Sequence, residues 1–138
     1  NILINPFSNA CQYTLSTKGW FNLIGQVCQN PIWTPIVITY PRVYERFMQD
    51  KAKYEQTSKE LSKLVVIRNN DDILNLVALV ECMDCVISAS TGTIHIASNL
   101  RIPSIGLYPK FDMVRWGTYS RDYVPIPSPK AHLSTIQE

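Results

Sequence analysis

Glycine is scarce in this sequence, and the glycine-rich signatures of several common sites are missing. Only five of the 138 residues are glycine. None belongs to a G-x-G-x-x-G segment or a G-x-x-x-x-G-K-[ST] loop, which argues against a dinucleotide-binding fingerprint and a P-loop. G-x-S-x-G is also absent. The first apolar stretch ends in Asn5 and Pro6 without a carboxylate cluster, which argues against a phospho-acceptor receiver domain.

Long apolar runs and dense charge are lacking too. No run approaches the roughly 20 residues that a bilayer-spanning helix requires, and nothing resembles a signal peptide. The 13 basic and 11 acidic residues are dispersed and give a formal net charge of +2, so we predict no nucleic-acid partner. We therefore expect a cytoplasmic protein. Because a strand-like segment follows Asn1 directly, we also expect that an upstream part is missing from this chain.

Cysteine is present but not in a metal-binding pattern. A structural zinc site needs about four ligands, and no second pair accompanies Cys82 and Cys85; Cys11 and Cys28 stand alone. A redox Cys-x-x-Cys normally opens a helix after a strand, which is the reverse of the order expected here. We predict that Cys82 and Cys85 are small buried hydrophobic residues and that there is no metal site.

Apolar periodicity predicts five strands that alternate with four helices in one domain. The predicted strands cover residues 2–6, 35–40, 64–67, 85–88 and 104–107, and the helices cover 20–28, 42–54, 73–81 and 94–100. The expected caps are Ser16 or Thr17 for the first helix and Asn70 or Asp71 for the third. This alternation is typical of an α/β fold with a Rossmann-like, doubly wound parallel sheet of about five strands, in the common order 3-2-1-4-5.

The character of the sequence changes after residue 108, where prolines punctuate a stretch with little periodicity. They are Pro109, Pro125, Pro127 and Pro129. We predict a main domain over residues 1–117 and an irregular tail of the same domain over residues 118–138.

Ligands of an open parallel sheet bind beyond the carboxyl ends of its strands, where the strand order reverses. In the predicted order, the loops at residues 8–18 and 89–93 flank that crevice. Thr91, Gly92 and Thr93 open the fourth helix, and free backbone N–H groups, hydroxyls and the positive helix end suit an anion. An ordinary capped helix is the alternative, because Ser and Thr cap helices in any protein.

Four more residues are candidates at this edge. Lys18 begins the first helix, where a cation is unfavourable unless an anion is near, although a solvated surface lysine is the alternative. His95 lies one turn into the fourth helix, and a core histidine competes with a chemical role. Arg68 and Asn69 follow the third strand and suit a base or ribose contact, but they are also ordinary turn residues.

Together these segments resemble glycosyltransferase family 9, the ADP-heptose:lipopolysaccharide heptosyltransferases, over nearly all of residues 1–117. Residues 84–107 read DCVISASTGTIHIASNLRIPSIGL, similar to the family's D-x-x-x-S-x-D-T-G-x-x-H-x-A-x-x-x-x-x-P-x-x-x-L. Lys18-Gly19-Trp20 looks like its K-x-W, while Tyr108-Pro109 and Arg115-Trp116-Gly117 look like its next loop. The T-G-x-x-H core with a downstream proline is the specific part.

The resemblance implies the carboxy-terminal half of a GT-B fold, which holds the nucleotide sugar. It implies that Lys18 pairs with the diphosphate, that Ser8 and the segment Thr91-Gly92-Thr93 donate to it, and that His95 braces the loop. It implies no cofactor and no metal: the lysine and the helix end would stabilise charge on the leaving nucleoside diphosphate.

The resemblance also implies the reaction and its setting. The donor would be a nucleotide diphospho-sugar such as ADP-heptose, and the acceptor a lipopolysaccharide or another glycan. The general base would belong to the absent amino-terminal domain, so we expect this chain alone to transfer no sugar. The setting would be the bacterial cytoplasm, with attachment to the cytoplasmic face of the inner membrane left open.

One departure from the family pattern leaves alternatives open. Ser90 stands where the family has an Asp that is expected to touch the donor sugar, which points to a different sugar or a weakened enzyme. A second hypothesis is another GT-B enzyme, such as a nucleotide-sugar epimerase. A third is a Rossmann-like binding module without a nucleotide.

Overall fold

The structure, a computed structural model, describes residues 1–8, 14–110, 112–113 and 122–126. Cys11 and the segment 115–117 lie outside these residues. The strands are β1 (Ile2–Asn5), β2 (Pro35–Thr39), β3 (Val65–Arg68), β4 (Cys85–Ala89), β5 (Ser104–Pro109) and β6 (Asp122–Ile126). The helices are α1 (Thr17–Gln29), α2 (Pro41–Glu55), α3 (Ile73–Glu81) and α4 (Gly92–Asn99), and a 3-10 helix covers Lys59–Lys63.

The strands form one parallel sheet in the order β3-β2-β1-β4-β5-β6. This confirms the predicted α/β class and the order of the first five strands. β1 and β4 pair in the middle of the sheet, with Asn5 opposite Ser88. Because β2 and β3 extend the sheet on one side and β4 to β6 on the other, the strand order reverses between β1 and β4.

Both faces of the sheet are covered, which explains why the central strands are apolar without interruption. Successive side chains of β1 alternate between two cores: Ile2 and Ile4 pack with Phe21 of α1, and Leu3 packs with Val80 of α3. In β2, likewise, Val37 belongs to the first core while Ile36 and Ile38 belong to the second. The apolar runs therefore reflect burial on two sides.

Aromatic stacking joins α1 to α2. The Phe21 ring stacks on Phe47 and Tyr54, with centroid distances of 5.3 and 4.6 Å. Phe7, just beyond β1, meets the Phe47 ring edge-on at 5.7 Å. Ser16 is the N-cap of α1, and its hydroxyl accepts from the Gly19 N–H. The aromatic cluster thus anchors the chain where it leaves β1 towards the site.

The cap of α3 differs from the prediction. Neither Asn70 nor Asp71 caps this helix; the carboxylate of Asp72 accepts from the N–H groups of Leu74 and Asn75. Asp71 instead has a φ of 59°, the left-handed region that Asp tolerates better than most residues. The cap therefore lies one residue beyond Asp71 and two beyond Asn70.

Two elements were not predicted. Lys59–Lys63 forms a 3-10 helix between α2 and β3. Residues 122–126, expected to be part of an irregular tail, form β6 parallel to β5, so the tail prediction is wrong for these five residues. Pro125 pairs opposite Tyr108 in this outermost strand. A proline is tolerated in an edge strand because one side of that strand needs no ladder hydrogen bonds.

The prediction for the Cys-x-x-Cys pair was half wrong. Cys82 is exposed, at the end of α3, and Cys85 is half-buried in β4. Both are free thiols, and burial raises the pKa of the Cys85 thiol. Separately, none of the helices in the described part of the chain is long and apolar enough to cross a bilayer.

The cap of α3 gives a stability prediction. Asp72→Ala should lower the free energy of unfolding by about 1 kcal/mol, because two N–H groups lose their acceptor. Asp72→Asn is the matched control, since Asn caps about as well as Asp. Urea denaturation of the three proteins measures the difference, and equal losses for Ala and Asn would contradict the assigned cap.

Candidate functional site

A cavity of about 440 Å³ lies at the carboxyl ends of the central strands, within the range of small-molecule sites. Its walls come from the loops after β1, β2, β3 and β4. The lining residues are Asn5, Phe7, Ser8, Ile38, Thr39, Tyr40, Asn69, Asp71, Asp72, Ile73, Leu76, Ser90, Thr91, Gly92 and Thr93. The cavity therefore occupies the crevice that the strand order predicts.

One wall is the amino end of α4. Thr91 caps this helix, and its hydroxyl accepts from the Thr93 N–H at 3.1 Å. A Cβ placed on Gly92 would meet no atom within 4 Å, so the chain faces open space at this point. The first turn contains no acidic residue, which leaves the positive end of the helix dipole uncompensated by its own side chains.

Asn5 joins the end of β1 to this helix. Its amide nitrogen donates to the hydroxyl oxygens of Thr93 at 2.7 Å and Thr91 at 3.4 Å, while its amide oxygen accepts from the Phe7 N–H at 3.1 Å. Only 8% of the Asn5 surface is exposed. Asn5 was not among the predicted site residues, although it is a polar residue that ends a buried strand next to the reversal point.

A second bond ties the same loops together. The Ser8 hydroxyl donates to the backbone oxygen of Ser90 at 2.6 Å. Ser8 was predicted to donate to a diphosphate, but here its hydrogen is used within the protein. Ser90 itself is buried.

The opposite wall combines apolar and acidic groups. Tyr40, Ile73 and Leu76 supply its apolar surface, and Ile73 is 60% exposed. Asn69 donates to the backbone oxygen of Asp72, so the loop after β3 is braced against the start of α3. Apart from Asn69, these residues were not predicted as site residues, because the fold alone brings them to the cavity.

The structure does not bring all the predicted site residues together. Ser8, Asn69, Ser90, Thr91, Gly92 and Thr93 line the cavity; Lys18, Arg68 and His95 do not. Lys18 is exposed near the start of α1, and His95 is half-buried in α4. The Arg68 guanidinium lies 5.1 Å from the centre of the Tyr44 ring, a cation–π contact that holds it outside the cavity.

The charged residues among the described lining are all acidic, and they lie on one side of the cavity. Asp71 and Asp72 lie by α3, and no Lys, Arg or His is among the lining residues that the structure describes. An anion here would be held by N–H and hydroxyl donors at α4. No cluster of His, Cys, Asp and Glu able to hold a metal ion occurs in the described part of the chain.

Fold and site define a Rossmann-like α/β domain with a cleft at the reversal point and a donor-rich helix end within it. The sequence profile of glycosyltransferase family 9 (heptosyltransferase) matches residues 18–137. The chain therefore belongs to glycosyltransferase family 9, as the resemblance implied. No curated protein sequence matches the chain significantly.

Solved structures with this fold include two of E. coli heptosyltransferase WaaC. The one with ADP-2-deoxy-2-fluoro heptose is 14% identical, with a TM-score of 0.67, and the match covers 99% of this chain and 42% of that chain. The one with ADP is 12% identical, with a TM-score of 0.65, covering 99% and 43%. This likeness shows the fold, and the chain spans less than half the length of WaaC, consistent with one half of a GT-B fold.

The bond between Ser8 and Ser90 gives a second stability prediction. Ser8→Ala should lower the free energy of unfolding by about 1 kcal/mol, because the hydrogen bond from the Ser8 hydroxyl to the Ser90 carbonyl is lost. Ser62→Ala, at an exposed position of the 3-10 helix, should change it by less than about 0.5 kcal/mol. If chemical denaturation gives both variants the same stability, the two loops are not held by this bond.

Proposed function

We propose that this chain is the donor-binding part of a glycosyltransferase that moves a sugar, heptose or a relative of it, from a nucleoside diphosphate to a glycan acceptor such as lipopolysaccharide. The cavity at the reversal point holds the nucleoside diphosphate. Family membership supports the reaction class, and the fold shared with WaaC, a heptosyltransferase solved with ADP, supports the class of ligand.

The observation that carries this proposal is the amino end of α4, which opens onto a cavity of suitable size. The segment from Thr91 to Thr93 lines the cavity with hydroxyl oxygens and with the backbone of the first helical turn, in which the Thr93 N–H already donates to the Thr91 hydroxyl. Such groups favour a phosphate through hydrogen bonds and the helix dipole together. In a transfer reaction the same groups would stabilise the charge that develops on the departing diphosphate.

The other wall suits the nucleoside. Tyr40 and Ile73 offer apolar surface for a base, and Asn69 and Asp71 offer polar groups for a base or ribose. We keep Asn69 as a base or ribose contact. Arg68 is not part of the proposal, because its guanidinium lies over Tyr44 and it does not line the cavity.

Titration calorimetry with nucleotides tests the proposal directly. ADP, UDP and GDP are titrated separately into the folded 138-residue chain, and we expect saturable binding of at least one. Inorganic pyrophosphate should compete with the nucleotide that binds, because the diphosphate is the part held by α4. Absence of binding by all three nucleotides would support a Rossmann-like module without a nucleotide.

Lys18 provides a test of the charge partner. It is the candidate cation that the family pattern pairs with the diphosphate, although its side chain is exposed and does not line the cavity. If Lys18 reaches the ligand, Lys18→Ala should weaken nucleoside diphosphate binding by about 1 to 3 kcal/mol, near the lower end for a solvated ammonium group.

Lys53→Ala is the matched control for Lys18, because it removes an exposed lysine from the last turn of α2. Both variants carry the same change in net charge, so a loss confined to Lys18→Ala reports a specific contact. An unchanged dissociation constant for Lys18→Ala would remove Lys18 from the site and leave the α4 donors as the proposed anchor.

A further inference from the structure

The hydrogen atoms around Asn5 can be assigned from the donors and acceptors that surround it. The Phe7 N–H can only donate, so the amide oxygen of Asn5 must face Phe7, as it does at 3.1 Å. The amide nitrogen then faces Thr91 and Thr93 and supplies both of its hydrogens to them. Both threonine oxygens therefore act as acceptors towards Asn5.

The Thr91 hydroxyl is fully committed inside the protein. It accepts from the Thr93 N–H and from Asn5. It also lies 3.3 Å from the Ser88 hydroxyl, which donates its own hydrogen to the Ala89 backbone oxygen at 2.8 Å. Since the Ser88 hydrogen is already used, Thr91 is the donor in that pair, and its hydrogen does not point to a ligand.

The Thr93 hydroxyl is in the opposite situation. It accepts from Asn5 at 2.7 Å, and among the residues that the structure describes it donates to no acceptor. Thr93 lines the cavity with only 3% of its surface exposed. A hydroxyl that accepts one hydrogen bond becomes a better donor for another, and in a buried position that effect is less weakened by water.

We propose that Thr93 is the side-chain donor to the anionic ligand and that Asn5 is a positioning residue that fixes this hydroxyl in its donating orientation. The inference rests on the proposed function, because it names the hydroxyl that meets the diphosphate. It also assigns different roles to Thr91 and Thr93, which were predicted to belong to the same anion-binding segment. Thr91 builds the loop, whereas Thr93 contacts the ligand.

Calorimetric titration of Thr93 variants tests the first part. Thr93→Val keeps the shape and removes the hydroxyl, so binding of ADP and of inorganic pyrophosphate should weaken about tenfold or more, as for a lost hydrogen bond to a charged group. Thr93→Ser keeps the hydroxyl and should stay within about threefold of the parent chain. Should Thr93→Val fail to fold, Thr93→Ala removes the same hydroxyl with less bulk.

Thr39→Val is the matched control in the same cavity. Thr39 is buried in the opposite wall, and its hydroxyl already donates to the Ile67 backbone oxygen at 3.0 Å. This variant should lose stability but less affinity than Thr93→Val. Equal losses of affinity in the two variants, or none in Thr93→Val, would overturn the assignment of Thr93.

A double-mutant cycle tests the role of Asn5. If Asn5 acts through the Thr93 hydroxyl, Asn5→Ala should weaken pyrophosphate binding in the parent chain and have little further effect in Thr93→Val. A purely structural role would instead lower affinity by the same factor in both backgrounds. Melting temperatures are measured in parallel, so that lost stability is separated from lost affinity.

The outcomes also separate this inference from the proposed function. If the parent chain binds neither a nucleotide nor pyrophosphate, the proposed function fails and this inference fails with it. If the parent chain binds ADP and Thr93→Val binds it equally well, only the present inference is wrong, and the proposed function stands.

Discussion

The cleft depends on the pairing of β1 with β4, and above all on the Asn5 amide at the end of that pair. Parallel pairing places Asn5 beside Ser88 and so beside the start of α4. One buried amide then connects the turn at Phe7 with the hydroxyls of Thr91 and Thr93. Replacement of Asn5 by leucine, a residue of similar size, would remove the acceptor of the Phe7 N–H and the donor to the hydroxyls of Thr91 and Thr93. The structure therefore needs a polar residue at the end of this otherwise apolar strand.

The two walls of the cavity differ in charge, so its electrostatic potential changes from one end to the other. At α4 the groups are neutral donors with the positive end of a helix behind them, whereas the carboxylates of Asp71 and Asp72 lie by α3. A ligand with an anionic end and an end rich in hydroxyl or amino groups matches this direction, and a nucleoside diphosphate is such a ligand. The Asp72 carboxylate also accepts from the N–H groups of Leu74 and Asn75 at the start of α3.

The strands of the sheet could be predicted from their apolar runs in the sequence. The runs around Leu3 and Val37 are apolar because both faces of the sheet are covered, and this signal does not depend on distant residues.

The position of Lys18 relative to the cavity depends on the path of the loop before α1, which no spacing rule specifies. Arg68 illustrates the same limit: its guanidinium lies over the Tyr44 ring of α2, so a residue at the end of a strand need not face the cavity. β6 was not predicted because Pro125 interrupts its strand pattern. A proline is compatible with this strand because β6 lies at the edge of the sheet and pairs with β5 on one side.

Ser90 can be understood from the charges around it. The family pattern has an Asp here, but in this chain the residue is buried and its backbone oxygen accepts from Ser8. A carboxylate in this place would need hydrogen-bond partners or a cation to offset its desolvation, and the described lining contains no cation. With serine, the described cavity wall at the start of α4 carries no negative side chain, and the positive end of the helix dipole is not offset there. If the cavity holds a nucleotide sugar as proposed, the substitution leaves the wall at α4 without a carboxylate and removes the group that the family pattern directs at the sugar, so binding of the diphosphate and recognition of the sugar would depend on different residues.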